Sequence, residues 1–146
     1  MIRGNRGQVL MLVAVMLVAL VWFAALGIDT AYIYSVRHEL QRCADSGALA
    51  GASRYIDNSV PAPIDNPEDR ASDYAKRDVV STARLTDSEV QVTASPMPPL
   101  AYDNQVRVVT RRTVNLFFRI WQPSLTISAS ATAEGRVLDN TVRLVE

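Results

Sequence analysis

The chain has 146 residues, with 15 Lys and Arg against 15 Asp and Glu, a formal net charge of +0 and a pI of about 6.6. That balance excludes a global basic field able to recruit nucleic acid or anionic lipid. The single cysteine, Cys43, excludes an intrachain disulfide framework. The length suffices for one modest domain with its own core beyond any membrane segment.

The first element is the run from Val9 to Ile28, VLMLVAVMLVALVWFAALGI, which carries no charge and no strongly polar side chain. At helical rise it spans about 30 Å, the hydrocarbon thickness of a bilayer. A secretory signal has a shorter apolar core, about 7–15 residues, although Ala25 and Gly27 leave a weak cleavage signal before Ile28. The helical pattern continues past Asp29 with no turn signal up to Leu49, which favours a spanning helix. Arg3 and Arg6 precede the run, while Arg37 and Arg42 follow within about 15 residues, so cation counting alone leaves orientation open. The nearer arginines and the terminal amine favour a cytoplasmic N-terminus. The expected organisation is a cytoplasmic tail over 1–8, a transmembrane helix over 9–28 and a single extracytoplasmic α+β domain over 29–146. An ionisable residue inside a membrane is a functional candidate by default, but Asp29 sits at the edge of the run and reads as a boundary marker.

Beyond the boundary the same helix becomes amphipathic, giving about 45 residues in all. Ile33, Val36, Leu40, Cys43, Ala44, Gly47, Gly51 and Tyr55 recur at spacings of three and four, one apolar face. In its second half the face consists of small side chains. Leu40, Cys43, Ala44, Gly47, Ala48, Gly51 and Ala52 are therefore expected to form a helix-packing or partner face, with packing against a sheet preferred over helix pairing.

The segment from Asp57 to Asn66 holds Pro61 and Pro63 and reads as a loop. A second helix follows, with Asn66 as its cap, Pro67 in its first turn and Glu68 and Asp69 at the positive end of its dipole. Ala71, Tyr74, Ala75, Val79 and Ala83 mark its buried stripe and carry it to about Leu85. The period then changes. Val90, Val92 and Ala94 alternate with polar residues in a strand that the Pro96–Pro99 stretch ends. A second strand starts near Gln105, with Val106, Val108 and Thr110 on one face and Arg107, Val109 and Arg111 on the other, and extends towards Val114, Leu116 and Phe118. A third runs from Leu125 to Glu134, its Leu125, Ile127, Ala129, Ala131 and Ala133 alternating with Ser, Thr and Glu. One face of the sheet is wet and the other is shallow, mostly alanine, a match for the small-residue face of the long helix. The fold class is therefore α+β: a transmembrane helix continuing into a long amphipathic helix, packed on a small antiparallel β-sheet, with a second short helix.

Catalytic signals are sparse. His38 and Cys43 are the only histidine and cysteine, and on a helix they point about 140° apart. No G-x-S-x-G, H-E-x-x-H, C-x-x-C or phosphate-binding glycine loop occurs. The expectation is no enzyme, no cofactor, no metal and no small-molecule substrate, with Cys43 a packing residue open to an intermolecular disulfide. Arg107, Arg111, Arg112 and Arg119 form a local basic cluster, readable as a guarded strand edge or as a docking surface. Phe117, Phe118, Ile120 and Trp121 lose alternation and read as a core plug or as an exposed contact. Arg107, Arg111, Phe117, Phe118 and Trp121 are the candidate surface contacts. No interleaving of aromatics with cations suggests single-stranded nucleic acid.

One stretch is specific beyond its composition. Arg6-Gly7-Gln8, the apolar run, Gly27-Ile28-Asp29, Tyr32 or Tyr34, Arg37, Leu40-Gln41 and the block from Ala44-Asp45 to Ala52 resemble the N-terminus of TadE/TadG-like proteins, accessories of tight-adherence (Flp) pilus assembly. The family's block resembles LQ-x-AADAAALAGA; here Cys43 and Ser46-Gly47 replace alanines and keep the positions small. Val106–Thr110, Phe117-Phe118 and the string SASATAE from Ser128 to Glu134 are also similar. The resemblance implies a single-pass protein of the bacterial inner membrane with a periplasmic domain. Its partners are membrane lipid, through one helix, and other pilus-assembly or pilin-like proteins. Larger TadG-like relatives add a von Willebrand A domain with a metal site, but no D-x-S-x-S string occurs here. A prepilin leader carries Glu five positions after its cleavage site. After Gly4 and Gly7 those positions are Val9 and Leu12. The expected function is a membrane-anchored structural accessory of Tad/Flp-type pilus assembly or related secretion. Alternatives are a pseudopilin-like minor subunit of a filament and an envelope-anchored binding module unrelated to pili.

Overall fold

The computed structural model describes residues 5–55, 66–94, 104–117, 124–136 and 141–145. Helix α1 (Asn5–Ser53) runs unbroken for 49 residues, about 74 Å at helical rise. In its first half the large apolar side chains from Val9 to Ile28 are 44–76 % exposed, and only the small Ala25 is buried among the described residues. The helix is long and apolar enough to cross a membrane. In its second half one face is sealed: Val36, Leu40, Cys43, Ala44, Ala48 and Ala52 are buried.

Helix α2 (Pro67–Ala75) begins as expected, with Pro67 in its first turn and Glu68 and Asp69 beside it. Asn66 stands at the cap position with extended backbone, but its side chain makes no capping bond. The helix also stops at Ala75, ten residues short of the expected end at Leu85. Val79–Val80 (β1) and Ala83–Arg84 (β2) instead form a small antiparallel hairpin around Ser81, whose φ is 62°. Val79 and Ala83, expected to be buried, are exposed. Two β-branched residues followed by Ser-Thr are poor helix formers, and the hairpin's polar backbone groups find partners elsewhere. The Ser81 N–H donates to Glu39 Oε2 at 2.6 Å, and three hairpin carbonyls accept from Arg112.

A 3₁₀ turn (Asp87–Glu89) leads into β3 (Val90–Ala94), and β4 (Gln105–Asn115), β5 (Ser124–Arg136) and β6 (Thr141–Val145) complete an antiparallel meander in the order β3-β4-β5-β6. The β4–β5 ladder runs from Gln105↔Glu134 to Asn115↔Ser124. β4 ends before Leu116, and Phe118, expected to continue it, lies outside the described residues. β6, pairing Thr132↔Val145 through Arg136↔Thr141, has no counterpart among the expected strands. The inner face of the sheet presents Val106, Val108, Thr110, Val114, Ile127, Ala129, Ala131 and Ala133, all buried, and α1 lies along it. The fold is α+β as expected.

Three layers meet where α1 is thinnest. A Cβ on Gly47 would stand 2.7 Å from the Ala71 carbonyl oxygen and 2.9 Å from Ala75 Cβ. One on Gly51 would stand 2.9 Å from Ala71 Cβ, the Pro67 carbonyl oxygen and Val106 Cγ1 alike. Gly47 and Gly51 on α1 thus face Ala71 and Ala75 on α2, two four-residue small-side-chain repeats in close contact. On the sheet side, a Cβ on Gly135 would meet the Ala52 carbonyl oxygen at 2.5 Å. Substituting alanine at Gly51 gains up to about 1 kcal/mol of helix propensity but forces backbone apart, a cost of about 1–3 kcal/mol. Gly51→Ala is expected to lower the unfolding midpoint in detergent, and Gly51→Val to lower it further. A midpoint raised by both would disprove the close packing.

Candidate functional site

Along α1 the chemistry divides into three zones. The first is the exit from the apolar run. The Thr30 hydroxyl donates to the Leu26 carbonyl at 2.7 Å, which satisfies a polar side chain beside the apolar segment. Two residues further on, the Tyr32 hydroxyl is 2.8 Å from Ser81 Oγ, tying the β1–β2 hairpin to the helix. Asp29, read from sequence as a boundary marker, accepts the Phe117 N–H at 3.0 Å through Oδ1. The Phe117 ring stands edge-on to Tyr32, with centroids 5.7 Å apart and planes at 76°. Phe117 itself is 73 % exposed. The end of β4 is therefore fastened to the helix where the apolar run stops.

The second zone is the small-residue face. Leu40, Cys43, Ala44, Gly47, Ala48, Gly51 and Ala52 are all buried, gathered against α2 and the sheet. This face is filled by the chain's own elements. Burial, more than any other influence, pushes the Cys43 thiol up to about 11, with Asp78 adding to it, so the sulfur stays protonated and un-nucleophilic. His38 is exposed. In the centre of the face the Thr110 hydroxyl, fully buried on β4, donates to the Leu40 carbonyl at 3.0 Å. Gln41 reaches outward to Asp45 at 2.8 Å and to the Ser130 carbonyl at 3.3 Å. These bonds fix the rotation of α1 about its axis relative to the sheet.

The third zone centres on Arg112, which sequence grouped with a surface basic cluster. Strand alternation separates that cluster. Arg107 and Arg111 are exposed on the outer face, whereas Arg112 is on the inner side of β4. Its guanidinium forks onto Glu89, Nε to Oε1 at 3.0 Å and Nη2 to Oε2 at 2.9 Å. Nη1 donates to the Val80 and Ala83 carbonyls at 2.7 and 2.9 Å, and Nη2 to the Arg84 carbonyl at 2.9 Å. All five donors of the group are used. One side chain thereby holds β1, β2 and the 3₁₀ turn to the sheet. The bond to Arg112, helped by the Thr86 N–H and hydroxyl, holds the Glu89 carboxyl at about 2 against an ordinary 4.5, while burial opposes the shift. The sequence signal was an arginine at an inward register position of an otherwise apolar strand face.

Among the candidate contacts, Arg107 and Arg111 share the wet face of the sheet, paired across the β4–β5 ladder with Thr132 and Ser128. Phe117 is at the opposite end from Arg107, beside α1. Phe118, Arg119 and Trp121 lie outside the described residues. Among the described residues no group of three or more His, Cys, Asp or Glu side chains converges as a metal site.

Arg112→Ala strands Glu89 and removes the donors for three carbonyls, and is expected to cost about 2–4 kcal/mol of stability. Arg112→Lys keeps the charge but not the fork, so its stability is expected to fall between wild type and alanine in chemical unfolding. The Glu89 carboxyl is depressed in the folded state, so its stabilisation is complete above about 4.5 and is lost as pH falls towards about 2. Glu89→Gln is expected to be less stable at neutral pH and to show a flatter acid limb over that window. An acid limb as steep as wild type would show that the pair carries no such linkage.

Residues 7–54, nearly the whole of α1 and therefore both its exposed and its sealed halves, match the protein family described as putative Flp pilus-assembly TadE/G-like. No curated protein and no solved structure matches the chain.

Proposed function

From a TadE/G-like segment that coincides with a half-exposed, half-packed helix, we propose that the protein is a membrane-anchored structural accessory of Tad/Flp-type pilus assembly or the secretion related to it. The observation that carries this reading is the continuity of α1. The large side chains of its apolar half are exposed, and its other half is the spine of the α+β domain. Residues 9–28 span the inner membrane, residues 1–8 lie in the cytoplasm and residues 29–146 form the periplasmic domain. The proposed role is structural; a buried, protonated Cys43 and an exposed His38 on the same helix are in keeping with it. Other assembly or pilin-like proteins are the partners, met through the membrane helix or through the exposed Arg107 and Arg111 face, since the small-residue face is already occupied.

A second reading shares the same geometry. A helix that leaves lipid and enters a domain without a break also suits a pseudopilin-like subunit, whose apolar half would become buried against copies of itself in a filament. Processing separates the two. Intact mass of the protein purified from membranes is expected to match the full-length 16.1 kDa chain, less at most the initiator methionine. A chain beginning at Asn5 or Gln8 would place it in a filament, and one beginning at Ile28 would remove the anchor altogether. Deletion of the gene is expected to abolish piliation, and intact piliation in the deletion strain would sever the link to pili.

A further inference from the structure

The exit from the apolar run brings together two parts of the chain far apart in sequence, and their height relative to a membrane follows from α1. Three residues of helix rise about 4.5 Å. The headgroup layer on each side of a bilayer is about 5–7 Å deep. If the apolar run ends where hydrocarbon ends, Asp29 and Tyr32 both lie within that layer. Phe117 is held at the same height from two directions, by its N–H on Asp29 Oδ1 at 3.0 Å and by its ring against Tyr32. The ring is nonetheless 73 % exposed, and Tyr34, on the same turn of helix, is 61 % exposed. Tyr is enriched at the headgroup level of a membrane–water boundary, and Phe is among the apolar side chains that peripheral elements insert at the headgroup–acyl boundary. The remainder of β4 leads away from this point: Thr110 meets Leu40, and Val106 meets Gly51. The sheet thus stands alongside the helix, with the Phe117 end towards the bilayer and the Gln105 end away from it.

We propose that Phe117 is a second membrane contact, its ring lodged in the headgroup layer of the membrane that α1 crosses, so that the domain rests on the lipid surface. This rests on the spanning reading of α1. The occupant is lipid because α1, read as spanning, places Phe117 at the level of the headgroups through the Asp29 and Tyr32 contacts.

The test uses the full chain, with Cys43 changed to Ala, reconstituted in phosphatidylcholine–phosphatidylglycerol vesicles. Single nitroxide labels are placed at Val21, Ser124 and Arg107, and their accessibility to dissolved oxygen and to an aqueous nickel chelate is compared. Ser124 pairs with Asn115 next to Phe117 and leaves Phe117 in place. The expected result is a label at Val21 shielded from nickel, one at Arg107 fully accessible to it, and one at Ser124 in between. Phe117→Asp is expected to raise the nickel accessibility of the Ser124 label, as α1 tilts and lifts that end of the sheet, while the Val21 label is unchanged. A Ser124 label as accessible as that at Arg107 in the parent protein overturns the proposal and leaves the anchor standing. So does a shielded Ser124 label that Phe117→Asp does not move, since the shielding then comes from another residue or from a protein contact. A nickel-accessible label at Val21 overturns the anchor itself, and the proposal with it.

Discussion

Close approach at the second half of α1 is the constraint on which the other elements depend. Two structures pack against one helix over the same few turns, α2 on one side and the sheet on the other. Backbone separation at such a crossing is set by the side chains between the axes. Glycine at 47 and 51 brings the carbonyls of Pro67 and Ala71 within reach of van der Waals contact, while Val106 fills the remaining angle. The alanines of β5 do the same from below. A core built of small residues has little apolar area per residue, so its stability depends on fit and on directed polar bonds more than on bulk. Thr110 and Arg112 on β4 supply those bonds, one to the helix and one to the hairpin.

The two halves of α1 are adapted to different solvents by opposite means. In the apolar half, large side chains point in every direction and nothing in the fold covers them. In the other half, apolarity is confined to one face and the residues are small, because the partner is a packed surface and not a fluid. The change falls between Ile28 and Tyr32, where Asp29 and Thr30 settle their polar groups on neighbouring backbone.

Elements that declare themselves through local period were legible before the structure. The long helix and its small-residue face follow from spacing, the start of α2 from Pro67 and its acidic first turn, and the three strands beginning near 90, 105 and 125 from alternation, although the second was expected to run on towards Phe118. Features decided by distant partners were not. The stretch from Val79 to Arg84 continues a plausible helical stripe, yet becomes a hairpin because Glu39 and Arg112 claim its backbone. Arg112 looked like one of four clustered cations until the register of β4 turned it inward. Asp29 and Phe117 are 88 residues apart, and neither position predicts the bond between them. β6 is a short run whose alternation carries too few residues to stand out, and it gains strand status by pairing with β5.

A helix that passes from an exposed apolar half into a folded domain without a break is a lever with no hinge. Tilting or rotating its apolar half turns the sheet by the same angle, because Leu40, Gln41 and Gly51 lock the rotation of the helix against β4 and β5. Traction on the domain along the helix axis loads the α1–β4 contact in shear, where many interactions share the force, instead of peeling them one at a time. Torque applied to the apolar half is therefore felt at the other end of the helix as a change of domain orientation, with no change of domain structure.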